Sequence, residues 1–194
     1  MDSTKHYNAL IDKLISTGLC NCYLIMPMKA IPQERVLDYF TDLHNADLLH
    51  DRFADSELAD GPTIQDTLGL VDSPTNFAVV DIVSKEIVAE FMLSNFVGKA
   101  AQIHFSLQPG LSFVEKVEIG TEVTNQILLN WKDVSRLPES YIDTLYGLSP
   151  VTNRPSCIYV RKLGFERLGI LPNSAAYKGS IVDSLVTTKV ASNG

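Results

Sequence analysis

Apolar residues recur at helical spacing through Tyr7, Leu10, Ile11, Leu14 and Ile15, which predicts an amphipathic helix closed by Gly18. The following run, CYLIMPM, predicts a strand. Pro32 stands where a first helical turn tolerates it, and Val36, Leu37, Phe40 and Leu43 continue one apolar stripe. Across residues 45–74 the pattern fades, broken by Asp60-Gly61-Pro62 and Asp72-Ser73-Pro74, so a loop with one further helical piece is expected. Two β-branched and aromatic runs in TNFAVVDIVSKEIVAEFMLSNF flank Val83-Ser84-Lys85-Glu86, a hairpin connection. AAQIHFSLQ adds a third strand, ending at Pro109-Gly110, and makes an antiparallel meander the economical arrangement.

Beyond this point the period changes to four. Ile119, Val123, Ile127 and Trp131 predict a helix that starts near Gly120 and fades at Leu137-Pro138. YIDTLYGLSP is again strand-like. Residues 153–165, NRPSCIYVRKLGF, supply a helix with Pro155 in its first turn and Gly164 as its left-handed stop. FERLGIL, a break at Pro172-Asn173 and IVDSLVTTKV complete the order. The expected fold is α/β (α+β): a mixed, largely antiparallel central sheet with helices on both faces. It forms a single domain over residues 1–194, with an N-terminal helix (1–19), a core (20–190) and a short tail (191–194).

Composition narrows the function classes. The chain has 194 residues, 45% of them hydrophobic and 20% charged, enough for one sizeable core. A net charge of −7 argues against a nucleic-acid partner, which calls for basic surface. No apolar run reaches the ~18 residues of a membrane span, and the N-terminus lacks the basic-then-apolar form of an export signal. Cys20, Cys22 and Cys157 have no zinc-site spacing and are expected as thiols in a reducing compartment, the cytoplasm.

Two side chains offer chemistry on local grounds. Strand alternation puts Gln102, His104 and Ser106 on one face and Ile103, Phe105 and Leu107 on the other. His104, whose imidazole type titrates near neutrality, is the natural general base. Asn153, between a strand end and a helix start, can cap the helix or hydrogen-bond a ligand. Ser149 ends the preceding strand and offers a hydroxyl or backbone contact.

The element order and the segment GLSPVTNRPSCIYVRKLGFERLGILPN resemble the GNAT superfamily of N-acetyltransferases, over roughly residues 20–190. The family pattern N-x-x-A-x-x-L-Y-x-K-x-G-F is matched at Asn153, Lys162, Gly164 and Phe165, with Ser156 as its small residue. ILPNSAAYKGSIVDSLVTTK also resembles small GNAT-like proteins of bacteriophages. The resemblance implies acetyl-CoA as cofactor, an amine acceptor, and Leu107, Gly120, Thr121 and Asn153 around the cofactor.

Two departures from the family pattern matter. The family's phosphate loop, R/Q-x-x-G-x-G/A, lies just before a helix N-terminus, where backbone N–H groups and the dipole favour anions. With Gly120 on its last position, Glu118 and Glu115 replace the middle glycine and the Arg/Gln; with Gly120 in the middle, Val117 and Glu122 fall at the outer positions. The tyrosine that protonates the leaving thiolate in many relatives is Val160 here, with Tyr159 one residue earlier and about 100° round the helix.

Two functions therefore stand as expectations. One is an acetyl-CoA-dependent N-acetyltransferase, with His104 as base, Tyr159 as shifted acid and Asn153 on the pantetheine. The other is a catalytically degenerate protein of the same fold, in host cytoplasm or virion. It would work through protein contacts, as a homo-oligomer or in assembly with other viral proteins, using the N-terminal helix and the tail TTKVASNG.

Overall fold

The computed structural model describes residues 7–9, 11–12, 23–52, 61–135 and 142–191. Among the described residues, seven strands form one sheet: β1 (Tyr23–Pro27), β2 (Asn76–Asp81), β3 (Ile87–Val97), β4 (Ala100–Leu107), β5 (Thr144–Pro150), β6 (Glu166–Tyr177) and β7 (Ser180–Val190). Their spatial order is β1-β2-β3-β4-β5-β7-β6. Every neighbouring pair is antiparallel except β4 and β5, which run parallel. Among the described residues, besides the helical residues 7–9 and 11–12, the sheet is accompanied by α1 (Gln33–Asn45), α2 (Leu49–Arg52), α3 (Ile64–Leu68), α4 (Phe113–Ser135) and α5 (Arg154–Lys162). No helix among the described residues is long and apolar enough to cross a membrane.

Strand alternation divides the core into two layers. Phe77 and Val79 of β2 join Phe91, Leu93, Ile103 and Leu145 beneath α4 and α5, through Ile119, Val123, Ile127 and Leu163. Ala78 and Val80 face the opposite way, onto Val36, Tyr39, Phe40 and Leu43 of α1 and onto Tyr7 and Ile11. Covered on both faces, β2 reads as a continuous apolar run rather than an alternating one.

Most predicted elements are present, and the departures have local causes. Residues 7–9 and 11–12 are helical, with Tyr7 and Ile11 buried; Leu10, Leu14, Ile15, Gly18, Cys20 and Cys22 lie outside the described residues. In α1 the buried stripe includes Tyr39, whereas Leu37 is exposed. Among the described residues of 45–74, two short helices, α2 and α3, stand where a single piece is expected. Thr63 and Asp66 start α3 with a reciprocal capping box. Helix α4 begins at Phe113, about two turns before the expected start at Gly120. Its start is fixed by Ser112 and Glu115: Ser112 N–H donates to Glu115 Oε2 (2.8 Å) and Glu115 N–H to Ser112 Oγ (3.3 Å).

The expected break at Pro172-Asn173 is a bulge within β6, where the register with β7 shifts between Leu171 and Ala175. Proline is tolerated there because β6 is the sheet edge. The chain actually reverses at Lys178 and Gly179, both at positive φ (48° and 75°), as a two-residue hairpin requires.

Candidate functional site

The parallel pairing of β4 with β5 extends only over Ala100–Gln102 and Thr144–Tyr146. From Ile103 onward the two strands part, while β4 stays paired to β3 as far as Leu107 and β5 to β7 as far as Pro150. One edge of β4 is thereby left without a ladder partner in β5. A cavity of about 250 Å³ opens along that edge. Ile103 to Leu107 and Gly147 to Ser149 form its strand walls; Asn153, Pro155, Ser156, Tyr159 and Val160 of the α5 segment close another side. Phe113 and Lys116 enter from the first turn of α4, Leu43 from α1, Leu48 from the connection and Asp51 from α2.

Of the residues singled out in the sequence, His104, Tyr159, Leu107, Asn153 and Ser149 all border this cavity. His104 Nε2 shares a hydrogen bond of 2.8 Å with Ser94 Oγ on β3. Ser149 is buried and accepts from Ser156 Oγ at 3.4 Å. Tyr159 and Val160, although adjacent, both contribute: the tyrosine lies in the core layer, edge-on to Phe105, and the valine packs beside it. Burial pushes the Tyr159 phenol above its usual range, and among the described residues its hydroxyl has no hydrogen-bond partner.

Gly120 and Thr121 do not border the cavity. The register that assigned them to a phosphate loop fails because α4 has already begun at Phe113, leaving both inside the helix. Gly120 is a packing residue. A Cβ there would overlap Tyr159 Oη and approach Leu163 Cδ2 to 2.9 Å. Gly120→Ala is therefore expected to destabilise the protein by about 1–3 kcal/mol, since overpacking outweighs alanine's helix preference of about 1 kcal/mol. Denaturant unfolding checks this. Adding Tyr159→Phe, which removes the clashing hydroxyl, should recover part of the loss, and strictly additive effects would contradict the assigned contact.

Glu118 is exposed on α4 and, like Glu115, does not border the cavity. The Glu115 carboxylate, held below the usual range by the Ser112 hydroxyl and N–H, occupies the start of α4, where the helix dipole favours an anion. Lys116 supplies positive charge beside it in the cavity wall.

Asp51 was not foreseen. Its Oδ1 accepts from Asn153 Nδ2 (3.0 Å) and from Tyr177 Oη (2.8 Å). Asn153 Oδ1 meanwhile caps α5 by accepting from Ser156 N–H (3.2 Å). Beneath this node, Arg52 and Glu90 form a buried ion pair, with the Arg52 guanidinium 5.5 Å over the Phe40 ring. Glu90 is the direct cross-strand neighbour of Ser106, which borders the cavity.

No protein-family model matches the sequence, and no curated protein matches it significantly. Solved structures do match. A GNAT-family acetyltransferase from Bacillus anthracis superposes with a TM-score of 0.64 at 16% identity, over 88% of this chain and 96% of the other. Spermidine N-acetyltransferase from Vibrio cholerae, in complex with CoA and spermine, gives 0.64 at 12% identity over 88% and 96%. Mycobacterium smegmatis RimJ, in complex with CoA-disulfide, gives 0.63 at 10% identity over 87% and 82%. At such identities the likeness establishes architecture, and the chain has the fold of the GNAT N-acetyltransferases.

Proposed function

We propose that this protein binds an acyl-coenzyme A in the cleft where β4 and β5 part, and transfers the acyl group to an amine. The observation that carries this reading is the unpaired edge of β4, which borders a cavity together with His104, Tyr159 and Lys116. The cavity residues fit an acyl-pantetheine arm. Leu107 and Val160 offer apolar contact, the strand edge offers hydrogen bonds, and the Tyr159 hydroxyl is an orphaned buried donor. Asn153, with one amide hydrogen on Asp51, keeps a second donor for the arm. When bound, the cofactor supplies an acyl group activated as a thioester.

The chain's own residues then divide the work. Backbone N–H groups along β4 polarise a carbonyl oxygen placed in the cleft. His104 takes the proton of the attacking amine, its ring held by Ser94. Tyr159 acts as a hydrogen-bond donor rather than a full acid. Its pKa lies above the tyrosine value of about 10 and thiols titrate near about 8.5, so complete transfer to a thiolate is uphill.

At the start of α4, Lys116 would attract the cofactor's phosphates and Glu115 would repel them. Glu115→Gln is expected to tighten acetyl-CoA binding roughly threefold to tenfold, the scale of one solvent-screened unit charge at close range. Lys116→Ala should weaken it by a similar factor, and calorimetry reads both. Affinities unchanged in both variants would mean that the phosphates do not lie at the start of α4. The Glu115 carboxylate also favours a second reading, a protein of this fold that has lost its cofactor and acts through protein contacts. Tight, saturable acetyl-CoA binding excludes it.

A further inference from the structure

We infer that Asp51 is the subsite for the cationic amine of the acceptor, with Asn153 and Tyr177 as its positioning residues; this rests on the acyl-transfer reading above. Three observations converge. Asp51 borders the same cavity as His104, from the α2 side. Its carboxylate is fixed through Oδ1 by two neutral donors, Asn153 Nδ2 and Tyr177 Oη, which come from α5 and the end of β6. Two cations near it already have carboxylate partners of their own: Arg52 with Glu90 inside the protein, and Lys178 with Asp47 at 2.7 Å.

A carboxylate held by neutral donors on one oxygen has no counter-charge in those bonds and leaves its other oxygen for a further partner. Rigid mounting lowers the ordering cost of receiving that partner. The chemistry that answers this arrangement is an aliphatic ammonium. The net charge of −7 draws such cations toward the protein as a whole.

The mounting also explains an otherwise unassigned contact. Lys178 and Gly179 turn the β6–β7 hairpin, and Tyr177 and Lys178 reach back to Asp51 and Asp47, on α2 and on the connection before it. The hairpin end is thus tied to α2 and to the connection before it. Because Asn153 touches Asp51 and caps α5 in the cavity wall, the acceptor subsite is built from the same asparagine as the cofactor side.

The test titrates n-butylammonium, 1,4-diammoniobutane and neutral n-butanol into the full chain and into Asp51→Asn and Tyr177→Phe, alongside acetyl-CoA. Asparagine retains an oxygen for both donors, so the clasp and the fold should survive. Asp51→Asn is expected to weaken both ammonium probes about tenfold while leaving n-butanol and acetyl-CoA unaffected. Tyr177→Phe should weaken the ammonium probes roughly threefold. In acyl transfer, both variants should raise KM for the amine with kcat nearly constant. Unchanged ammonium affinity in Asp51→Asn overturns the inference, and so does an equal loss for n-butanol. A lowered melting temperature without an ammonium effect would also overturn it, leaving Asp51 a structural clasp. If acetyl-CoA fails to bind the unaltered chain, the acyl-transfer reading falls, and the ammonium probes still judge Asp51 separately.

Discussion

Arg52→Ala is expected to cost the folded state about 3–5 kcal/mol, a large part of the total stability of a domain this size. Both charges of the Arg52–Glu90 pair are almost fully buried, with side-chain exposures of 2% and 1%. Removing the guanidinium strands Glu90 in the layer between β3 and α1, without its counter-charge. Burial already lowers the Arg52 pKa to about 10, a sign of how poorly this site solvates charge. The pair is also more than a stability device. It fastens α2, which carries Asp51, to the strand whose neighbour β4 carries Ser106 and His104. Denaturant unfolding measures the effect, and a loss below about 1 kcal/mol would contradict it. The double variant Arg52→Met with Glu90→Leu removes both charges and should recover most of the loss, because a well-packed apolar pair often matches a buried ion pair.

His104→Ala should slow acyl transfer about a hundredfold, the low end of what a positioned general base contributes, with acetyl-CoA affinity unchanged. The position favours this role. His104 stands on the stretch of β4 that leaves β5, beside the cavity, and Ser94 on β3 fixes its Nε2. A packing role would lower stability and leave the pH–rate profile intact. A base role predicts a fall in rate toward acid pH in the unaltered chain that disappears in the variant. Unaltered turnover in His104→Ala would assign proton removal to water or to another group.

Much of this was legible in the sequence because each signal was local. The buried runs of β2 and β3, the alternation of β4 and the Asn153–Gly164 helix all follow from spacing and turn chemistry, and they led to His104 and Asn153, while the family resemblance added Leu107 and Tyr159. The misplaced start of α4 had a readable signal. Ser112-Phe113-Val114-Glu115 is a capping-box pattern, but Gly120 drew the boundary toward itself, although its smallness serves Tyr159. Asp51 had no such signal. It lies in a helix of four residues without periodicity, and its partners stand 102 and 126 residues away in sequence. Tyr177 was hidden for a related reason. Pro172-Asn173 mimics a strand end, yet an edge strand can carry a bulge there and run on to the true turn.

The central claim is that the parting of β4 and β5 makes an acyl-coenzyme A site, and a calorimetric titration of acetyl-CoA tests it most directly. One saturable site is expected, with a Kd between about 10 µM and 1 mM because Glu115 and Lys116 oppose each other, and binding should be lost when Val160→Trp fills the cleft. The absence of binding heat at millimolar acetyl-CoA, or binding that Val160→Trp leaves intact, would contradict the claim.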